Sequence, residues 1–339
     1  MKLKFNLLRH IIIRLIVYIL TGIIAFSVIF FCIRLVPGNP VRNYLNSMLE
    51  LYGVSSASAK EIIKHYEKKF GLDKDLFTQY ICFWKNLLLH GDLGPSMISF
   101  PDSSQKLIMN RLPWTIFLLS FSTIISWVIG VFTGVLAGWK KGSKVDHILY
   151  SISICTSRIP YYILAVVLVL TLCYTLNLFP SGGAYSPNIE KAFTLEFILD
   201  VIYHAFLPAL SIVIISSFGW LLTTRALVIS ILGEDYLLFA EAKGLKESRI
   251  LKRYVLRNVL APQVSGLGMS LGGIVGGSFL VEWIFRYHGI GMLYIEAINI
   301  LDYNVIQGVS LITIFCVLLA NFLVDITHSL IDPRVRVGG

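Results

Sequence analysis

Residues 240–262, AEAKGLKESRILKRYVLRNVLAP, place six Lys or Arg in 23 positions between two stretches that carry almost no charge. Cations on a helix-forming segment serve two chemistries. They bind anionic lipid headgroups, or they present a face that docks into a groove of another protein. At 100° per residue, Leu251, Val255 and Val259 share one face, with Gly244 and Ser248 as small gaps beside them, while Lys246, Arg249, Arg253 and Arg257 share the opposite one. Ile250 and Leu260 spoil the separation, and patterning alone leaves both readings open. A second set lies in GLGMSLGGIVGGSFLVEWIF, residues 266–285, where Gly268, Gly272 and Gly276 fall at i, i+4 and i+8 and Gly273 and Gly277 repeat the spacing. In lipid such faces let helix backbones approach closely, for static packing or for a sliding, pore-lining contact. Ionisable residues in apolar runs form the third set. Arg14 and Arg34 sit near the ends of one run and can snorkel, whereas Arg158, beside Pro160, and Glu282 are candidates for a pathway or gating role. No set is a catalytic constellation. The string GWKKGSK at 138–144 lacks the phosphate-loop spacing, and H-E-x-x-H and G-x-S-x-G do not occur. The seven His and five Cys are dispersed without metal-ligand spacing, so neither ATP nor a metal is expected on this chain.

The elements that must carry these residues are membrane spans. The chain of 339 residues is 56% hydrophobic and 14% charged, against about 25% charged in soluble domains. Its mean hydropathy is +0.74. Six segments are long and apolar enough to cross a bilayer: 11–36, 114–138, 148–179, 204–224, 263–285 and 305–327. The third contains Pro160, which predicts a kink or a tilted entry. The first is too long for a cleaved signal peptide and reads as a retained anchor. The net charge of +9 comes from cations concentrated at Lys2, Lys4 and Arg9, at Lys140, Lys141 and Lys144, and across 223–262. By the positive-inside rule both termini and the even-numbered loops are cytoplasmic, and nucleic acid is not an expected partner. The organisation is then a tail and first span (1–36), a partly helical outer loop (37–110), a five-helix transmembrane domain (111–329) with a cytoplasmic segment at about 234–262, and a tail (330–339).

The basic segment resembles the coupling segment of permeases of binding-protein-dependent ABC importers, of the dipeptide/oligopeptide (nickel) type. The matching residues are Ala240, Ala242, Lys243, Gly244 and Leu245, then Leu251, Leu256, Arg257, Asn258, Leu260 and Pro262. RLVPGNP at 34–40, GLD at 71–73, HGDLGPS at 90–96, RLPWT at 111–115, KGSKVD at 141–146, ILDYNVIQG at 300–308 and DPRVR at 332–336 are similar as well, almost end to end. Arg158, and His288 in place of a Pro, depart from the family pattern. The resemblance implies an all-α polytopic protein of the type I ABC importer transmembrane fold, multi-pass in a prokaryotic cell membrane. It implies a homologous second permease, two cytoplasmic ATPase subunits that bind ATP and Mg, and an extracellular solute-binding protein. Ala240, Ala242, Lys243, Gly244, Leu245, Lys246 and Arg249 would dock the ATPase, with Gly244 permitting close backbone approach. Peptides are the leading cargo, with metal chelates or oligosaccharides as alternatives. A rival of another class, an ion-coupled secondary transporter, calls for central carboxylates or paired broken helices, and the spans hold almost none.

Overall fold

The computed structural model describes residues 2–38, 56–274 and 278–331, and among them the chain is helical, with an isolated bridge between Pro95 and Ser103 and no strand. It divides into two compact units, 1–115 with 275–279 and 288–339, and 116–274 with 280–287.

The first unit is built on α1 (Lys2–Arg34) and the last helix of the chain, α13 (Tyr303–Ile331), with α2 (Ser56–Lys69), α3 (Leu76–His90), the start of α4 (Ser104–Trp139) and α12 (Ile290–Ile300). Gly22 of α1 lets Leu318 of α13 approach to where a Cβ would stand 3.1 Å from its methyl. Tyr18 donates to the Asp325 carboxylate at 2.7 Å, and Arg14 lies 3.4 Å from the same group, so Arg14 is paired as well as near a span end. α2 and α3 occupy the outer-loop segment, joined through Gly71 in the left-handed region at φ 68°. Asp75 caps α3 by accepting from the Thr78 N–H, and these bonds from Thr78 hold its carboxyl below the usual range. Phe83 of α3 stacks on Phe26 at 4.9 Å between ring centres, a contact of about 0.5–1.5 kcal/mol beyond simple burial. The junction of α12 and α13 turns on Asp302. Its Oδ2 accepts from Ser96 Oγ (2.7 Å), Met97 N–H (2.6 Å) and Ile98 N–H (3.3 Å), and its Oδ1 from Val305 N–H (3.3 Å). Burial pushes this carboxyl above its ordinary range, against the pull of those donors.

The second unit holds the rest of α4, α5 (Lys144–Thr156), α6 (Tyr161–Leu168) with a π-helical continuation Val169–Thr175, α7 (Leu195–Leu232), α8 (Asp235–Ala242), α9 (Glu247–Ile250), α10 (Leu256–Gly272) and most of α11 (Phe279–Ile284). α4 and α7 are in near backbone contact along Gly130, Gly134 and Gly138. A Cβ on these would stand 2.4 Å from Trp220 Cβ, 2.6 Å from Thr224 Cβ and 2.6 Å from Val228 Cβ. This is the small-residue packing that membranes favour, where dispersion and not water drives association.

Four helices among the described residues are long and apolar enough to cross a membrane: Ile11–Arg34, Ser104–Trp139, Leu195–Leu232 and Tyr303–Ile326. The predicted third span is a pair, Lys144–Thr156 and Tyr161–Thr175, bent by 88° where Pro160 interrupts the ladder. The predicted fifth span, 263–285, is not one helix. α10 ends at Gly272 with Gly273 as its cap, and α11 begins at Phe279. Six glycines in 266–285 each cost about 1 kcal/mol of helix propensity relative to Ala, which an apolar count does not register.

Candidate functional site: the basic corner

The basic segment does not form one helix. α8 closes in a Schellman motif: the Gly244 N–H donates to the Glu241 carbonyl at 2.8 Å, and the Leu245 N–H to the Ala240 carbonyl at 3.3 Å. Gly244 is left-handed at φ 69°, and α9 starts three residues later. The expectation of a continuous helix through Gly244 is therefore corrected. Here the glycine is demanded by backbone geometry, because an L-residue strains in this region. No atom lies within 4 Å of where its Cβ would stand, so the position is also open to approach from outside.

The corner exposes Ala242, Lys243, Gly244, Lys246 and Arg249, leaves Leu245 half-buried and buries Ala240 in the core. Of the predicted docking residues, Ala240 is thus a packing residue, and the others gather on one projecting turn. Beneath it lie Val135, Val228, Leu237, Ile250, Val255 and Val259, all buried. Ile250 belongs to this core although the helical wheel placed it off the apolar face. A π-helical turn at Leu251–Val255 supplies the reason, since its wider turn puts Ile250 and Val255, five apart, on one side. Lys252, Arg253 and Arg257 stay outside.

Three side-chain contacts brace the corner and the helices around it. The Asn258 amide donates to Tyr236 Oη and to the Tyr254 carbonyl, both at 2.9 Å, tying α10 to α8. Trp127 of α4 donates to the Gln263 carbonyl of α10 at 3.2 Å. Arg225 of α7 grips Asp146 at the start of α5 with two bonds, 2.6 and 3.0 Å, while stacking on Tyr150 at 4.2 Å. Asp146 also accepts from the Gly142 N–H at 3.0 Å and is almost wholly buried. Sequence reasoning quoted KGSKVD but gave Asp146 no role, because its partner is 79 residues away. It also passed over Leu238 and Phe239, which α8 leaves 59% and 69% exposed beside the corner. The signal was there as an apolar pair directly preceding AEAKG.

The other predicted sites scatter. Gly268 and Gly272 are half-buried on α10, and a Cβ on Gly273 would meet only carbonyls of its own turn, Ser270 at 3.6 Å and Met269 at 3.8 Å. Gly276 and Gly277 lie outside the described residues. Among the described residues, closely packed glycines between helices lie on α4 at 130, 134 and 138, and Gly266 of α10 adds one against the Trp220 ring at 3.2 Å. Arg158 is exposed in the bend between α5 and α6. Glu282 is fully buried on α11, its carbonyl accepting from the Tyr287 N–H at 2.7 Å. No group of three His, Cys, Asp or Glu suited to a metal occurs among the described residues.

Apolar helices long enough to cross a membrane, with an exposed, cation-studded corner between two of them, are what a membrane permease subunit would carry. The chain belongs to the family of binding-protein-dependent transport system inner membrane components, which it matches over residues 130–337. It is similar to the oligopeptide transport system permease protein AppB of Bacillus subtilis, with 32% identity over 94% of this chain and 95% of that one. It is likewise similar to the oligopeptide permease protein OppB of Haemophilus influenzae, 30% identical over 97% of this chain and all of the relative. The glutathione permease protein GsiC of Pectobacterium atrosepticum shows 30% identity over 97% and 99%. The chain is thus a permease subunit of an ABC importer in the cytoplasmic membrane, and the matched family is one of transport components, not enzymes.

Proposed function

We propose that this chain forms half of the translocation pathway of an ATP-driven peptide importer, with six membrane crossings and both termini cytoplasmic. It pairs with a homologous permease, two cytoplasmic ATPase subunits and an extracellular solute-binding protein. ATP and Mg reside on the ATPases. The observation that carries the coupling role is the corner itself. Ala242–Arg249 projects as a backbone-defined turn with Lys243, Lys246 and Arg249 outward, on a base fixed by buried apolar residues and hydrogen bonds. Its cations match acidic groups on a partner, and Leu238 and Phe239 offer apolar area to the same cleft. When the ATPases close, such a corner moves with them and drags the attached helices. Peptide cargo is supported by relatives named as oligopeptide and dipeptide permeases.

The test is to purify the C-terminally tagged chain from native membranes under gentle conditions and identify its companions. The complex is then reconstituted to measure ATP-dependent uptake of a labelled peptide. A second six-span chain and P-loop ATPases are expected to co-purify. The chain emerging alone from conditions that keep known complexes intact would sink the coupling role. Uptake of metal chelate or oligosaccharide but not peptide would refute the cargo alone.

A further inference from the structure

The outer segment of the first unit holds a polar pocket of about 210 Å³ whose walls include Arg34, Lys68, Lys69 and Lys74. Asp92 is the single carboxylate among the described lining residues, and it is occupied in accepting from the Gly94 N–H at 2.9 Å. Four cations thus face one acid, a balance of +3 (4 − 1). Arg34 is the telling member. Its guanidinium lies between the Phe30 ring at 4.5 Å and the Tyr303 ring at 5.5 Å, and among the described residues it makes a single, long hydrogen bond, 3.4 Å, to Gln307. Its Nε and Nη1 are shielded from water and have no hydrogen-bond partner. An Arg held this way, with no carboxylate beside it among the described residues, is a cation that a nearby anion would stabilise. Lys74 reaches toward Cys82 Sγ at 3.7 Å, which keeps its ammonium at the pocket, while Lys69, also in the wall, has its ammonium over the Phe100 ring at 4.6 Å. Lys68 lies in the last turn of α2 and is solvent-exposed.

We propose that this pocket binds an oxyanion, a carboxylate or phosphate group, held by the charge of Arg34 and by contacts from Lys68, Lys69 and Lys74. The volume suits one such group and not a peptide. The group belongs either to a small anion in the medium or to an acidic side chain of a docked solute-binding protein.

Cys82 lines the same pocket and reports on it. The full chain with its partner subunits, in nanodiscs and with Cys32, Cys155, Cys173 and Cys316 replaced by Ser, is treated with methanethiosulfonates bearing a sulfonate or a trimethylammonium group. The sulfonate reagent is expected to be favoured about tenfold over its ratio on free cysteine, as a focused positive field requires. Inorganic phosphate should slow the reaction saturably, beyond chloride at equal ionic strength. Lys68→Gln/Lys74→Gln, two changes at the end of α2 and in the following turn, should remove both effects. A free-cysteine ratio, no reaction at Cys82, or phosphate no better than chloride overturns the proposal. If binding protein also shields Cys82 and phosphate displaces it, the oxyanion is a protein side chain. If binding protein leaves the phosphate effect untouched, it is a small anion.

Discussion

Gly244 separates two reasons for a glycine, and a short series of substitutions distinguishes them. One reason is conformation: the residue sits at φ 69° and closes the Schellman motif that ends α8. The other is room: a partner approaches a backbone that has no side chain. Because nothing of this chain lies within 4 Å of the missing Cβ, Gly244→Ala adds strain without an internal clash. That strain is about 1–2 kcal/mol, which moves the balance between closed and open corner by roughly 5- to 30-fold. Affinity for the ATPase subunits falls by at most that factor, since only the closed corner docks. Asn tolerates the left-handed region better than Ala although it is larger. On the conformational reason, Gly244→Asn binds more tightly than Gly244→Ala; on the steric reason the order reverses, and Gly244→Trp is worst on either. The assay is titration of purified ATPase subunits onto the nanodisc-embedded permease, alongside binding-protein-stimulated ATP hydrolysis. Binding by Gly244→Trp equal to wild type, with uptake intact, would refute docking at this turn altogether. Equal losses for Ala and Asn would refute the conformational account.

Gly134→Ala forces a methyl to within 2.6 Å of Thr224 Cβ and 2.7 Å of the Leu221 carbonyl. It should destabilise the second unit by about 1–3 kcal/mol, whereas Gly219→Ala, inside α7 with nothing within 4 Å, should stabilise by up to about 1 kcal/mol in the same thermal unfolding assay. Asp146→Asn leaves Arg225 with one neutral oxygen in place of a bidentate carboxylate, and with Asp146 buried and the Arg225 side chain 18% exposed the loss approaches the lower end of about 3–5 kcal/mol. A double-mutant cycle with Arg225→Gln measures the coupling, and additive losses would contradict the pairing. Asp302→Asn turns an NH2 toward one of the N–H or O–H donors that now meet an oxygen, at a cost of about 1–3 kcal/mol read from the unfolding midpoint. Because burial raises the Asp302 pKa, the native state holds that proton more tightly than the unfolded chain. Its stabilising contribution is complete below the ordinary carboxylate value and declines as pH rises through the raised one, a slope that Asp302→Asn should abolish in denaturant titrations across that range.

Long apolar runs made most spans legible, because hydropathy sums over many residues and survives local error. The failures trace to backbone rather than to side-chain chemistry. Residues 266–285 score as apolar while their glycines weaken the helix, so the predicted fifth span is α10 followed by α11. Ile250 looked misplaced because a wheel assumes 3.6 residues per turn, and the π-turn at Leu251–Val255 breaks that assumption. The glycine spacing at 268, 272 and 276 is the same as at 130, 134 and 138. Spacing alone did not rank them. Only the partner helix does, and Trp220, Thr224 and Val228 of α7 face the latter set. The cations of the corner were legible as a group, but what makes them a unit was not. A corner transmits displacement only if it is stiffer than the bundle it pulls on. The contacts that could supply such stiffness are Asn258 on Tyr236, Trp127 on the Gln263 carbonyl and Arg225 on Asp146. These pairs are 22, 136 and 79 residues apart. The first joins α10 to α8, the second α10 to α4 and the third α7 to α5, so a load applied at Lys243–Arg249 is expected to pass to α4 through Gln263 and to α7 along the chain from α8, with α5 tied to α7, rather than bending one loop. Loosening any one of the three should therefore weaken transport more than it weakens ATPase binding, whereas removing the corner's cations should do the reverse.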